Sequence, residues 1–105
     1  MLSQLKSLFG LGSDTDYAAL RRQNALLIDV RTEPEFRGGH ISGARNIPLD
    51  RLHAECTLLQ RTKPIIVYCA SGMRSATARK LLEAKGFTQV YNGGGWQSLQ
   101  GKLNA

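Results

Sequence analysis

A single thiol is set among small, polar and cationic residues in Cys69-Ala70-Ser71-Gly72-Met73-Arg74-Ser75. This stretch follows the apolar run Ile65-Ile66-Val67-Tyr68 and precedes the helix-like segment Ala76-Thr77-Ala78-Arg79-Lys80-Leu81-Leu82. A cysteine placed where a buried strand ends and a helix begins faces unpaired backbone N–H groups and the positive end of a helix dipole. Free cysteine titrates near pH ~8.5, and helix N-termini or nearby cations lower that value, so the nucleophilic thiolate is populated at neutral pH. Arg74 adds a permanent cation with several donors, suited to hold a charged, oxygen-rich substrate beside the sulfur. Gly72 lets the loop curl tightly, and Ser71 and Ser75 are expected to add hydroxyls at its rim. A lone cysteine after a strand is most often an inert small hydrophobe. A loop this rich in Gly, Ser and Arg has no packing reason to follow one, so a nucleophilic Cys69 is the expectation.

Other residues invite chemistry and have plainer readings beside it. His40, within Gly39-His40-Ile41, has the type of a general base, but a thiolate near a cationic loop needs none. The ring is expected to bond neighbouring backbone and fix the loop. Asp29 and Arg31 at a strand's end, with Glu35, read as an ion-pair cluster bracing the pocket rim. Trp96 reads as a packed lid. Cys56 lies in a helical setting and reads as an ordinary, partly buried cysteine, not a resolving thiol. His53 and Cys56 fall at i, i+3, and two such side chains do not make a zinc site; no metal is expected.

These residues need elements to position them. Leu26-Leu27-Ile28-Asp29-Val30 is almost continuously apolar, the mark of a strand covered on both faces. A helix is expected over Tyr17 to Gln23, capped by Asp14 or Asp16. A helical turn is expected over Glu33 to Phe36, with Pro34 in its first turn. Asn46-Ile47-Pro48 reads as a very short strand, and Asp50 as the cap of a helix through Leu59. Ile65 to Tyr68 is a second buried strand, and the helix after the cysteine loop runs to about Lys85, closed by Gly86. Phe87 to Tyr91 reads as a strand, Gly93-Gly94-Gly95 as a flexible turn, and Trp96 to about Leu99 as a last helix. Strands alternating with helices predict an α/β fold: a parallel sheet with helices on both faces and ligands at the carboxyl ends of its strands. Cys69 is at such an end.

With 105 residues the chain is one domain, and 42% hydrophobic and 21% charged residues are ordinary for a globular protein. Its net charge of +6 comes from 14 Lys and Arg against 8 Asp and Glu. The cations are spread along the chain and lack the runs and aromatic interleaving of a nucleic-acid surface, so a small anionic substrate is expected and no nucleic acid. Two cysteines without paired spacing fit a reducing compartment. Residues 1–13 are expected to be an N-terminal amphipathic or partly ordered extension, with Leu2, Leu5, Leu8 and Phe9 on one side of a possible short helix. They do not read as a secretory signal, and no segment has the apolar length to span a membrane. No stable membrane insertion and a cytoplasmic location are the expectations.

Four blocks in order carry a family resemblance: Asp29-Val30-Arg31 with Glu35; Gly39-His40-Ile41-x-Gly43-Ala44-x-Asn46-Ile47-Pro48; Val67-Tyr68-Cys69-x-Ser71-Gly72-x-Arg74-Ser75; and Val90-Tyr91-x-Gly93-Gly94 with Trp96. Together they closely resemble the single-domain rhodanese-like proteins, from about Leu26 to Trp96. The resemblance implies a rhodanese-like fold over residues 14–105, with a central, mostly parallel sheet of roughly four to five short strands. It implies sulfur transfer without a cofactor. Cys69 would take a sulfane sulfur from a small anionic donor such as thiosulfate, hold it as a persulfide cradled by the amides of Ala70 to Ser75, and pass it to a thiophilic acceptor such as cyanide or a thiol-bearing protein. Arg74 would engage the donor's charged end.

The chain also departs from the pattern. Ala70 stands where many thiosulfate-using relatives have a basic residue, which points to thiosulfate as a poor donor. The strand that often opens the family domain is not evident before Tyr17. Alternatives are a non-catalytic persulfide carrier or protein-binding module, and a Cys-based phosphatase or arsenate reductase. The last is disfavoured because the loop has one residue fewer between Cys69 and its arginine than those enzymes use, and because no general acid is evident near it in sequence.

Overall fold

The computed structural model describes residues 15–104. The expected N-terminal amphipathic extension and Asp14 as a cap fall outside them. Helix α1 spans Tyr17–Arg22, capped by Asp16, whose side chain accepts from the Ala19 amide at 2.9 Å. It is followed by β1 (Leu26–Asp29), α2 (Glu33–Arg37), β2 (Arg45–Asn46), α3 (Leu49–Glu55), a 3-10 turn (Cys56–Leu58), β3 (Ile65–Cys69), α4 (Met73–Ala84), β4 (Val90–Gly95) and α5 (Trp96–Leu103). Among the described residues the strands form one four-stranded parallel sheet, ordered β2-β1-β3-β4. None of the described helices is long and apolar enough to cross a membrane.

Strand β3 is buried along its whole length, and its side chains alternate between two cores. Ile65, Val67 and Cys69 join Ile28, Val30, Leu52, Ala78 and Leu82, under α3 and α4. Ile66 and Tyr68 point the other way, toward Tyr17, Leu20, Leu99 and Leu103 on α1 and α5. The period-2 geometry of a strand thus explains the continuous apolar run, because both faces are covered by helices. Each fully buried aliphatic side chain here contributes about 1.5–3 kcal/mol. That burial makes the end of β3 a rigid mount for the cysteine loop.

Several elements differ from expectation. Helix α3 ends at Glu55 and gives way to a 3-10 turn, and its N-cap is Pro48; Asp50 lies within the first turn instead of capping it. The last helix continues past Leu99 to Leu103, both of which are buried in the second core. The largest difference is at the three glycines, which belong to β4 and are not a turn. Val67 pairs with Asn92 but Cys69 pairs with Gly95, so β4 carries an extra residue there, a bulge with Gly94 at φ 80°. A Cβ at Gly93 would meet Leu99 Cδ2 at 2.7 Å, and one at Gly95 would meet the Ala70 carbonyl oxygen at 2.8 Å. Close approach to the cysteine loop, not flexibility, demands glycine here.

Candidate active site

The thiol lies at the carboxyl end of β3, with Cys69 only 1% exposed. Helix α4 begins at Met73, earlier than expected, so Met73, Arg74 and Ser75 form its first turn. Its N-cap is Gly72, in the left-handed region at φ 105°, and it has no side-chain cap. The first amides of a helix lack intrahelical partners, and here the sulfur takes the place of a capping acceptor. The Gly72 amide donates to Cys69 Sγ at 2.9 Å, and Ser75 Oγ lies 3.4 Å from it. Burial pushes the thiol up, but the Ser75 hydroxyl and the amides of Ser75, Ser71 and Gly72 together outweigh it, and the net effect is below the ordinary thiol value. The side chain is buried, but against donors that favour the anion.

Ser75 is therefore not a rim hydroxyl. It is fully buried because it shares a helix face with Ala78 and Leu82, and it lies beneath the sulfur. Its hydroxyl also donates to Asn92 Oδ1 at 2.6 Å. Asn92 Oδ1 accepts from the Gly94 amide at 2.9 Å as well, its Nδ2 donates to the Gly72 carbonyl at 3.2 Å, and its own carbonyl accepts from Tyr17 Oη at 2.9 Å. One side chain on β4 thus fixes both the left-handed Gly72 and the serine under the sulfur. Ser75 has a single hydroxyl proton. While Asn92 holds it, the thiol can donate to Ser75 Oγ, and on ionisation the hydroxyl can turn to the sulfur instead. Asn92 was missed in the sequence, where it stands as a variable position inside the Val90-Tyr91-x-Gly93-Gly94 block.

The expected cluster of Asp29, Arg31 and Glu35 is two separate pairs. Asp29, fully buried, accepts from the Arg31 amide, Nε and Nη2 at 2.7–3.1 Å, and Arg31 Nη2 also donates to the Gly39 carbonyl at 2.6 Å. The Arg31 guanidinium lies 5.1 Å from the Trp96 ring centre and 5.9 Å from that of Tyr68. This pair ties the ends of β1 and β4 to the loop around Gly39. Glu35 turns instead to the cysteine loop, where its carboxylate takes Arg74 Nη1 at 2.8 Å and Nη2 at 3.0 Å. Thr32 holds Glu35 in place through a capping box at the start of α2. The Arg74 and Thr32 bonds hold the Glu35 carboxyl down at about 2. Arg74, expected to be open to substrate, is in direct partnership with a carboxylate because α2 ends up beside α4's first turn.

His40 is exposed, donates through Nδ1 to the Phe36 carbonyl at 2.7 Å, and stacks on Phe36 at 3.6 Å between ring centres. These contacts are within its own loop. Ala70 and Ser71 are exposed at the top of the cradle, and Met73 is 79% exposed beside it. Cys56 is 2% exposed and bonds the His53 carbonyl within its own helical turn.

A thiol on a strand end, ringed by helix-start amides and flanked by a paired arginine, has a counterpart among known proteins. The rhodanese-like domain model matches residues 14–102. The chain belongs to the rhodanese-like domain family. Among relatives of this rhodanese-like chain, an uncharacterized Bacillus subtilis protein, YqhL, is 44% identical over 79% of this chain and 67% of its own length. The thiosulfate sulfurtransferase GlpE of Ectopseudomonas mendocina is 37% identical over 70% of this chain and 67% of its own. A solved structure described as rhodanese with anions from E. coli matches with a TM-score of 0.65 and 32% identity, covering 70% of this chain and 89% of that one. The rhodanese-like fold and a relationship to sulfurtransferases follow from these matches.

Proposed function

We propose that this rhodanese-like domain is a sulfurtransferase that carries sulfane sulfur as a persulfide on Cys69. The observation that supports this reading most is the Gly72 amide aimed at Cys69 Sγ at 2.9 Å, together with Ser75 and the left-handed N-cap. Those donors favour a negative sulfur, and an additional sulfur bonded to Cys69 would extend the same anion. In the first half-reaction the Cys69 thiolate attacks the outer sulfur of the donor, the donor's S–S bond breaks, and its electron pair leaves with sulfite or a thiolate. In the second, an acceptor thiolate or cyanide attacks the outer sulfur of the persulfide, and the pair returns to Cys69. The acceptor class we favour includes a thiol on another protein. A cytoplasmic setting suits a reaction that needs Cys69 reduced between cycles.

Incubation with a sulfane donor should add about 32 Da, one sulfur, to Cys69 by mass spectrometry. The Cys69→Ser variant should take up none. Absence of the adduct with thiosulfate and with every thiol persulfide tried overturns the reading.

A further inference from the structure

The Arg74–Glu35 pair bears on which donors this site accepts, and the inference rests on the sulfur-transfer reading above. Both oxygens of Glu35 are matched to the two terminal nitrogens of Arg74, a fork-to-fork arrangement in which the favoured anion-binding edge of the guanidinium is already filled. Glu35 is fixed from behind, because Thr32 N and Oγ donate to the same Oε1 at 3.1 and 2.9 Å. Arg74 is the one cation of the stretch Cys69 to Ser75, and Ala70 next to the thiol brings none. The guanidinium borders a groove lined by Val30, Thr32, Pro48, Leu49 and Asp50, which adds a further acidic side chain but no second cation. A dianion arriving on this side of the ionised sulfur would therefore meet an arginine already paired with a carboxylate, while the pocket on the other side of the loop, lined by Ser71, Gly72 and Met73, has Lys102 at its edge. A donor whose charge is confined to its sulfur asks nothing of Arg74.

We propose that Glu35 is a specificity-determining residue that disfavours dianionic oxyanion donors such as thiosulfate and leaves thiol persulfides, RSSH, as the preferred donor class. With such a donor, the Cys69 thiolate attacks the outer sulfur, the donor's S–S bond breaks, and RS⁻ leaves with the electron pair and takes up the outer sulfur's proton as RSH, while the new persulfide stays ionised. Glu35 acts through Arg74 and touches no reacting atom.

The test is Glu35→Gln. Glutamine keeps one acceptor oxygen for the capping box, so α2 and its position are retained, while the charge and the second acceptor facing Arg74 Nη2 are lost. Second-order rates of Cys69 persulfidation are measured by intact mass for wild type and variant with two probes, thiosulfate and 2-hydroxyethyl persulfide. Wild type should react faster with the persulfide. The variant should gain about three- to fivefold with thiosulfate, the size expected of a half-exposed ion pair, and stay within about twofold with the persulfide. The ratio between donors is the decisive readout, because a purely structural effect moves both rates together. An unchanged ratio, with Cys69 still persulfidated, overturns the role of Glu35 and leaves sulfur transfer standing. No modification of wild type by either probe overturns the sulfur-transfer reading itself.

Discussion

Replacing Ser75 with alanine removes the hydroxyl 3.4 Å from Cys69 Sγ and keeps the backbone amide and Cβ in place. Asn92 Oδ1 loses its 2.6 Å donor but retains the Gly94 amide at 2.9 Å, so no buried acceptor is stranded. The loss therefore falls on the ionised sulfur. A hydrogen bond to a charged acceptor contributes about 1.5–3 kcal/mol, and the low end applies because the contact is long and Asn92 competes for the same proton. One pKa unit corresponds to about 1.4 kcal/mol, so the thiol should titrate about one unit higher in the variant. Below both values the thiolate population falls about tenfold, while the more basic thiolate is about threefold more nucleophilic, so the net rate of alkylation by iodoacetamide should fall about threefold. The pH–rate profile separates the two contributions: its inflection should move up by about one unit while its plateau rises. An inflection displaced by less than about 0.3 units, or displaced downward, refutes the assignment of Ser75 as a donor to the anion.

Three further outcomes are expected from the geometry. Asp29→Asn removes the charge opposite the nearly buried Arg31 but retains one acceptor oxygen, and should destabilise the fold by about 3 kcal/mol, lowering the melting temperature by roughly 15 °C; a fall under about 3 °C would show the pair to be dispensable. Gly93→Ala sets a Cβ 2.7 Å from Leu99 Cδ2 and 3.0 Å from Ile66 Cγ2, and should cost about 1–3 kcal/mol in urea unfolding, whereas Gly101→Ala meets nothing within 4 Å in α5 and should stabilise by about 0.5–1 kcal/mol. The depressed Glu35 carboxyl favours the fold fully above its ordinary value of 4.5, and that contribution is lost as pH falls through about 2. Since the Glu35 side chain is 36% exposed and screened by solvent, the stability difference between wild type and Glu35→Gln should be under about 1 kcal/mol at pH 6 and should vanish near pH 2.

What the sequence made legible was local and periodic. The two central strands are visible as apolar runs because both sheet faces are covered, and Cys69 is visible because Gly, Ser and Arg come after it where packing alone would not place them. Two signals were present and passed over. Thr32-x-x-Glu35 is a capping-box spacing that fixes Glu35 at the start of α2, from where it reaches Arg74. Ser75, Ala78 and Leu82 recur at helical spacing, which places Ser75 on the buried face and not at the rim. The glycine run and Asn92 carried no such signal. Their roles depend on β4 passing close to the loop after β3, a contact between residues some twenty positions apart, and composition alone makes three glycines look like a flexible turn.

The same geometry bears on the phosphatase alternative. A phosphate ester needs a proton donor for its leaving group and a set of amides free to share among several oxygens. The carboxylate bonded to the loop's arginine is Glu35, and a carboxyl held at about 2 stays ionised near neutrality and has no proton to give. Asp29 is committed to Arg31 away from solvent. The Gly72 amide, in turn, reaches the resting sulfur itself at 2.9 Å, so an oxyanion would have to compete with the nucleophile for it. A single added sulfur makes no such demand, because it extends the anion these donors already serve and leaves without needing a proton. The placement of the amides therefore favours chemistry in which charge remains on sulfur throughout.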